Sequence, residues 1–256
     1  MPETVRWAAV DAATMITRSV RHSVRSVDAL VTAVILPVVI LLLFVYVFGG
    51  AIRTGTRYLD YVVPGLILLC AGFGSAATAV GVCEDMTAGV VDRFRSLPIV
   101  APAVLLGHVV ASVLRNVVST GLVLGVALAL GFRPVADAGD WLAVLALLVL
   151  FMTAVSWLAA CVGLLAGSVE TAGAFSFVVM FLPYVSSAFV PPATMPGALH
   201  AFAAHQPVTP MVEALRALLA GAPAGPDGAL AVLWWGGLAV AGATGAAVLF
   251  RRRTAG

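Results

Sequence analysis

The sequence contains no lysine, and all 14 of its basic side chains are arginine. A Walker A loop needs a lysine to reach the β- and γ-phosphates, so the chain is not expected to hydrolyse ATP itself. Charge of either sign is scarce: 10% of the 256 residues are charged, where a water-soluble domain carries about 25%. Cysteine is scarce too. Cys70, Cys83 and Cys161 lie in or beside apolar stretches, with no ligand spacing around them. Packing is the expected role, rather than a disulfide or a metal site. The arginines are spread through loops instead of lining one face, so no nucleic-acid surface is expected. No Ser/His/Asp constellation stands out, which argues against intramembrane catalysis.

What remains is apolar. Hydrophobic residues make up 62% of the chain, and mean hydropathy is +1.09. A chain of this size cannot hide that much apolar surface in one water-soluble core, so lipid must serve as solvent. The expected fold is an all-α integral membrane domain spanning residues 1–256. A crossing takes about 20 apolar residues. Ala29–Phe48, Tyr61–Val82, Trp141–Leu165, Thr171–Val190 and Ala229–Phe250 each meet this without an internal acidic or basic residue. A sixth stretch, Pro102–Gly131, carries His108 and Arg115. Its first part is expected at the cytoplasmic interface and Val113–Gly131 as the crossing, which makes six transmembrane helices. Charged residues run from Glu3 to Asp28 before the first apolar stretch. That mixture is unlike a cleavable leader, so the first stretch should stay as a membrane helix.

Arginine placement sets the expected orientation. With a cytoplasmic N-terminus, Arg6, Arg18, Arg21, Arg25, Arg93, Arg95, Arg251, Arg252 and Arg253 fall inside. Arg53, Arg57, Arg133 and Arg216 fall outside, and Arg115 sits near the inner boundary. The excess of positive charge inside favours a cell-membrane protein with both termini in the cytoplasm. Small residues recur in the spans, including Gly121-x-x-x-Gly125 and Gly163-x-x-x-Gly167. They suit close helix packing in a bundle or a homodimer. Ionisable groups inside the spans are almost absent, which disfavours a proton- or ion-coupled carrier.

Three segments outside the spans carry more information. Before the first span, Arg18, Arg21 and Arg25 share one helical face and Val20, Val24 and Val27 the opposite one. This spacing predicts a helix lying along the membrane lipids at the cytoplasmic headgroups. Between the second and third spans runs Glu84–Pro98, where Val90, Val91, Phe94 and Leu97 alternate at helical spacing with Asp92, Arg93 and Arg95. Pro98 should end that helix. One greasy and one charged face suit docking onto a soluble partner, or equally lying on lipid. The third segment is Pro191–Gly228, facing outward. Thr209-Pro210 reads as a helix start, Val212, Leu215 and Leu219 as an apolar stripe, Glu213 and Arg216 as neighbours, and Gly221 as a stop,.

These segments, with several others in order, resemble a known family. Asp28-Ala29-Leu30 leads into a proline-bearing first span that ends Phe44-Val45-Tyr46-Val47-Phe48-Gly49-Gly50, and Tyr58-Leu59-Asp60-Tyr61-Val62-Val63-Pro64-Gly65 follows. The strongest block is Glu84-Asp85 through Gly89-Val90-Val91-Asp92-Arg93-Phe94-Arg95-Ser96-Leu97-Pro98. Leu114-Arg115-Asn116, Gly131-Phe132-Arg133-Pro134 and His205-Gln206-Pro207-Val208-Thr209-Pro210 complete the series. Together they resemble the ABC-2 type permeases, membrane subunits of ATP-binding-cassette exporters, in particular the daunorubicin-resistance-like actinobacterial group.

The resemblance implies roles. Residues 1–27 would hold the family's elbow helix, Glu84–Pro98 the coupling helix that seats on a nucleotide-binding subunit, and 191–228 a short outer lid. The chain itself would carry no cofactor, with ATP and magnesium bound by the partner ATPase. Two permeases, as a homodimer or a pair, would work with two ATPases. Docking would fall to Glu84, Asp85, Val90, Val91, Asp92, Arg93, Phe94, Arg95 and Leu97. The run Met86-Thr87-Ala88 is less charged than the family pattern leads one to expect, which suits a dedicated ATPase partner. A hydrophobic or amphipathic cargo follows, a drug or antibiotic before a lipid or glycan precursor. Phe73, Phe175, Phe177 and Phe181 are candidate pathway aromatics by their place in the second and fifth spans. A secondary carrier, a channel and a non-transporting scaffold are the competing classes.

Overall fold

A computed structural model of the chain describes residues 27–49, 56–87 and 102–255. Every regular element among them is helical. The basic face at Arg18, Arg21 and Arg25, and the docking residues Val90, Val91, Asp92, Arg93, Phe94, Arg95 and Leu97, lie outside the described residues.

The first helix, α1 (Val27–Leu42), carries Pro37 and relaxes into a π-helical stretch at Leu43–Phe48. Next, α2 (Tyr58–Ala76) and α3 (Thr78–Thr87) run on as one apolar span, Tyr58–Thr87, with a break at Ala77. Two long helices follow, α4 (Pro102–Ala129) and α5 (Ala138–Leu165). The next helix, α6 (Val169–Phe181), tightens into a 3-10 turn at Leu182–Val185. A further 3-10 turn at Pro192–Thr194 leads to two short helices, α7 (Gly197–His205) and α8 (Val208–Leu219). The last helix, α9, runs over Gly225–Ala255.

Among the described residues, four stretches are long and apolar enough to cross a membrane: Tyr58–Thr87, Val104–Ala129, Ala138–Leu165 and Gly225–Arg253. Ile35–Phe48 and Val169–Val185 are shorter apolar helices. The stretch expected to hold an interfacial part and the third crossing forms one unbroken helix, Pro102–Ala129. A charged or polar side chain does not interrupt a helix if a neighbour takes it up. His108 and Arg115 both find acceptors on the α2–α3 span.

Local chemistry sets the ends. At the end of α4, Gly131 has φ +96°. The Phe132 amide donates to the Ala127 carbonyl and the Gly131 amide to that of Leu128, which closes the helix on a left-handed residue,. Asp137 and Asp140 form a reciprocal capping box at the start of α5,. Gly221, at φ +71°, ends α8 in the same way as Gly131 ends α4. The expected start, with Thr209 as cap and Pro210 first in the helix, is corrected: α8 begins at Val208, two residues before Pro210. Gln206 Oε1 accepts the Val208 amide, while the Thr209 hydroxyl turns back to the Ala203 carbonyl.

Packing centres on α5, which touches α2, α3, α4, α6, α8 and α9. Phe151 of α5 meets Trp235 of α9 edge-on at 4.4 Å. The main core gathers Leu66, Ile67, Leu69, Phe151, Met152, Met211 and Leu215. Gly163 lets α5 approach the Ala79 carbonyl of α3 so closely that a β-carbon would collide with it. The Gly121-x-x-x-Gly125 stripe makes no such contact with another described element of the chain, since beyond its own helix neither glycine has an atom within 4 Å of its β position.

Candidate functional site

At one end of the α2–α3 span, Glu84 is exposed and Asp85 half-buried. Asp85 Oδ2 accepts from His108 Nε2 at 2.8 Å. Thr87 closes the helix by donating its hydroxyl to the Cys83 and Glu84 carbonyls. Of the docking residues expected from sequence, Glu84 and Asp85 are the two described.

At the level of the Ala77 break, three spans share polar contacts. Asn116 of α4 is fully buried. Its Nδ2 donates to the Ser75 hydroxyl at 3.2 Å and to the Ser112 carbonyl at 2.8 Å. Ser156 of α5 donates to the Ser112 hydroxyl at 3.1 Å. Asn116 Oδ1 packs directly on Gly74, where no side chain fits. Arg115 Nη2 donates to the Gly74 carbonyl at 3.4 Å, next to the break. Interhelical hydrogen bonds of this kind are each worth about 0.6–2 kcal/mol in a membrane.

At the other end, the chain after α6 loses regular structure, yet Ser186, Ser187, Ala188 and Phe189 are buried. Irregular backbone inside protein needs partners from elsewhere. Tyr58 Oη donates to the Phe189 carbonyl at 3.2 Å, and Gln206 Nε2 to that of Val185 at 3.3 Å. Arg216 Nη2 donates to Ser187 O at 2.8 Å and to Tyr61 O at 3.2 Å. Its guanidinium also pairs with Glu213 at 2.7 Å and lies 3.9 Å from the Tyr61 ring centroid. Ala188 sits against Gly65 of α2, closer than any β-carbon would allow.

Beside this segment is a stack of rings. Phe189 lies against Phe44 at 4.4 Å and Tyr184 at 4.8 Å. Phe48 packs on Phe44 at 5.4 Å and Phe181 on Tyr184 at 6.1 Å. Of the four candidate aromatics, Phe181 joins this stack and is 58% exposed. Phe177 is 61% exposed on the same helix. Phe175 turns inward against the core, and Phe73 is half-buried on α2. Sequence reasoning missed Phe44, Tyr184 and Phe189. The Phe44–Phe48 pair at helical spacing was the available signal.

Residues 11–220 match the family model for the ABC-2 type transporter. The chain belongs to the ABC-2 type transporter family. With four membrane-length apolar helices among its described residues, it is an integral membrane protein. The chain is also similar to the daunorubicin resistance ABC transporter permease protein DrrB1 of Streptomyces coeruleorubidus. The two are 37% identical over 196 residues, covering 75% of this chain and 69% of the relative. A more distant relative is the "Probable doxorubicin resistance ABC transporter permease protein DrrC" of Mycobacterium tuberculosis. It is 25% identical over 230 residues, covering 89% of this chain and 83% of the other. Both relatives come from actinobacteria, the group that the sequence motifs resemble.

Proposed function

We propose that this ABC-2 type chain is the permease subunit of an exporter that moves a hydrophobic or amphipathic compound, a drug or antibiotic, outward. The energy comes from ATP hydrolysed by a separate nucleotide-binding subunit, which also holds the magnesium. The observation that carries the reading is the family match over residues 11–220, together with a relative named for daunorubicin resistance. The complete lack of lysine agrees with an ATPase on another chain,.

In this reading the two shorter apolar helices, Ile35–Phe48 and Val169–Val185, cross with the four long stretches. The count is then six, and both termini are cytoplasmic, as the arginine distribution favours. Glu84–Pro98 is the coupling helix, residues 1–27 the elbow, and 191–228 the lid over the outer end. A second permease completes the pathway, which the exposed aromatics Phe177 and Phe181 would border. A mild-detergent pull-down of the tagged chain from its native membrane tests the assignment. An ATPase should accompany the native chain and be lost on charge reversal at Asp92 and Arg95. If the native chain brings down no ATPase, the exporter reading fails.

A further inference from the structure

Two side chains that the sequence reading kept apart meet at the inner end of the α2–α3 span. Asp85 was grouped there with the docking residues and His108 with the interface. In the structure His108 Nε2 donates to Asp85 Oδ2 at 2.8 Å, and the two side chains are 19% and 21% exposed. The contact is built for. Gly81 stands four residues before Asp85, one helical turn away on the same face. The imidazole lies over its bare α-carbon, with Nδ1 3.4 Å from where a β-carbon would be. Behind the pair, Val82 and Met86 pack with Leu105 of α4 in one small apolar cluster. Asp85 lies just before Thr87, the last residue of α3, and His108 lies in the second turn of α4, which opens at Pro102. The pair therefore ties together the two helix ends between which residues 88–101 are strung.

We propose that the Asp85–His108 pair is a clasp that makes the inner ends of α3 and α4 move as one body when a nucleotide-binding partner pushes on the segment between them. Asp85 is then a positioning residue inside the permease. Exposed Glu84, on a neighbouring face, is left for the partner. The inference rests on the exporter reading above and refines it. A force applied to residues 88–101 can move α4 through Pro102 alone only if the base of the segment stays shut. A partly buried imidazole–carboxylate hydrogen bond seated on a glycine supplies that closure with defined geometry,. Arg115 is the next charged group along α4, and it is engaged at the Gly74 carbonyl. Glu84 is the next on α3.

The test uses the full chain in vesicles with the ATPase that co-purifies with it. A cysteine at the exposed outer position Leu199 reports on the far end of the molecule. Native Cys70 and Cys83 are buried, and labelling of half-buried Cys161 is subtracted using the parent chain. The readout is the change in labelling rate by a membrane-impermeant maleimide when ATP and vanadate are added. In Asp85→Ala and His108→Ala that change should shrink by roughly fivefold or more, with ATPase co-purification unchanged in His108→Ala. The exchanged pair Asp85→His/His108→Asp should recover most of it, which a fold defect would not allow. Singles that respond like the native chain overturn the clasp. Singles that lose the ATPase overturn it differently, by making Asp85 a docking residue. A native chain that binds no ATPase and shows no response to ATP rejects the exporter reading itself. The failure of that reading is thereby distinct from the failure of the clasp.

Discussion

The guanidinium of Arg216 lies over the Tyr61 ring at 3.9 Å and donates to the main-chain carbonyl of the same residue. One side chain of α8 thus holds both the face and the backbone of an α2 residue, and through Ser187 it holds the buried segment after α6 as well.

Replacing Arg216 by alanine strands the Ser187 and Tyr61 carbonyls and leaves Glu213 without its cation. Hydrogen bonds to a charged group are worth about 1.5–3 kcal/mol, and Glu213 is exposed enough for water to take up part of its loss. A net cost of about 2 kcal/mol is expected, read as a lower melting temperature in detergent. Arg216→Lys should recover less than half of it, because an ammonium lacks the planar fork that serves two carbonyls and a ring together. A lysine variant as stable as the native chain would show that charge alone suffices.

Glycines in similar motifs should behave in opposite ways. Gly163→Ala places a β-carbon against the Ala79 carbonyl and 2.9 Å from Val82 Cβ, where backbone has to move. Overpacking of this kind costs about 1–3 kcal/mol. Gly121→Ala meets nothing within 4 Å and should leave the isolated chain's melting temperature unchanged. If Gly121→Ala lowers the melting temperature only where chains self-associate, a second copy packs on that face of α4.

Among the candidate aromatics, exposure separates contact with cargo from packing. Phe181→Ala should change resistance to one aromatic drug relative to another while expression stays level, since its ring is 58% exposed. Phe175→Ala should lower the amount of protein in the membrane and reduce all resistances together, because that ring packs against the core. Drug-survival curves beside immunoblots of membrane fractions distinguish the two patterns.

Much of the helical layout was legible in the residues because lipid demands long uninterrupted apolar runs. The expected Trp141–Leu165 span falls inside the helix Ala138–Leu165. The stripe of Val212, Leu215 and Leu219, the Glu213–Arg216 pair and the stop at Gly221 were all readable, since each is local to α8. The break at Ala77 was not. Nothing in a run of small residues says that Arg115 and Asn116, some forty positions on, will engage Gly74 and Ser75. The acceptors of Arg216 lie 155 and 29 positions away, and no periodicity reports on those. Thr209 illustrates a third limit. Gln206, just ahead of the helix, accepts the Val208 amide through a bend that composition does not reveal.

The buried stretch from Ser186 to Phe189 has a consequence for how the protein is made. A ribosome delivers that stretch before it delivers Gln206 and Arg216, which supply donors to Val185 and Ser187. Tyr58 is already present to receive Phe189, but the other carbonyls must wait in water or in the insertion machinery until α8 emerges. That end of the molecule therefore closes only after α8 has been made. A nascent chain stopped at residue 205 should remain a substrate for membrane proteases, whereas one stopped at 223 already contains both donors.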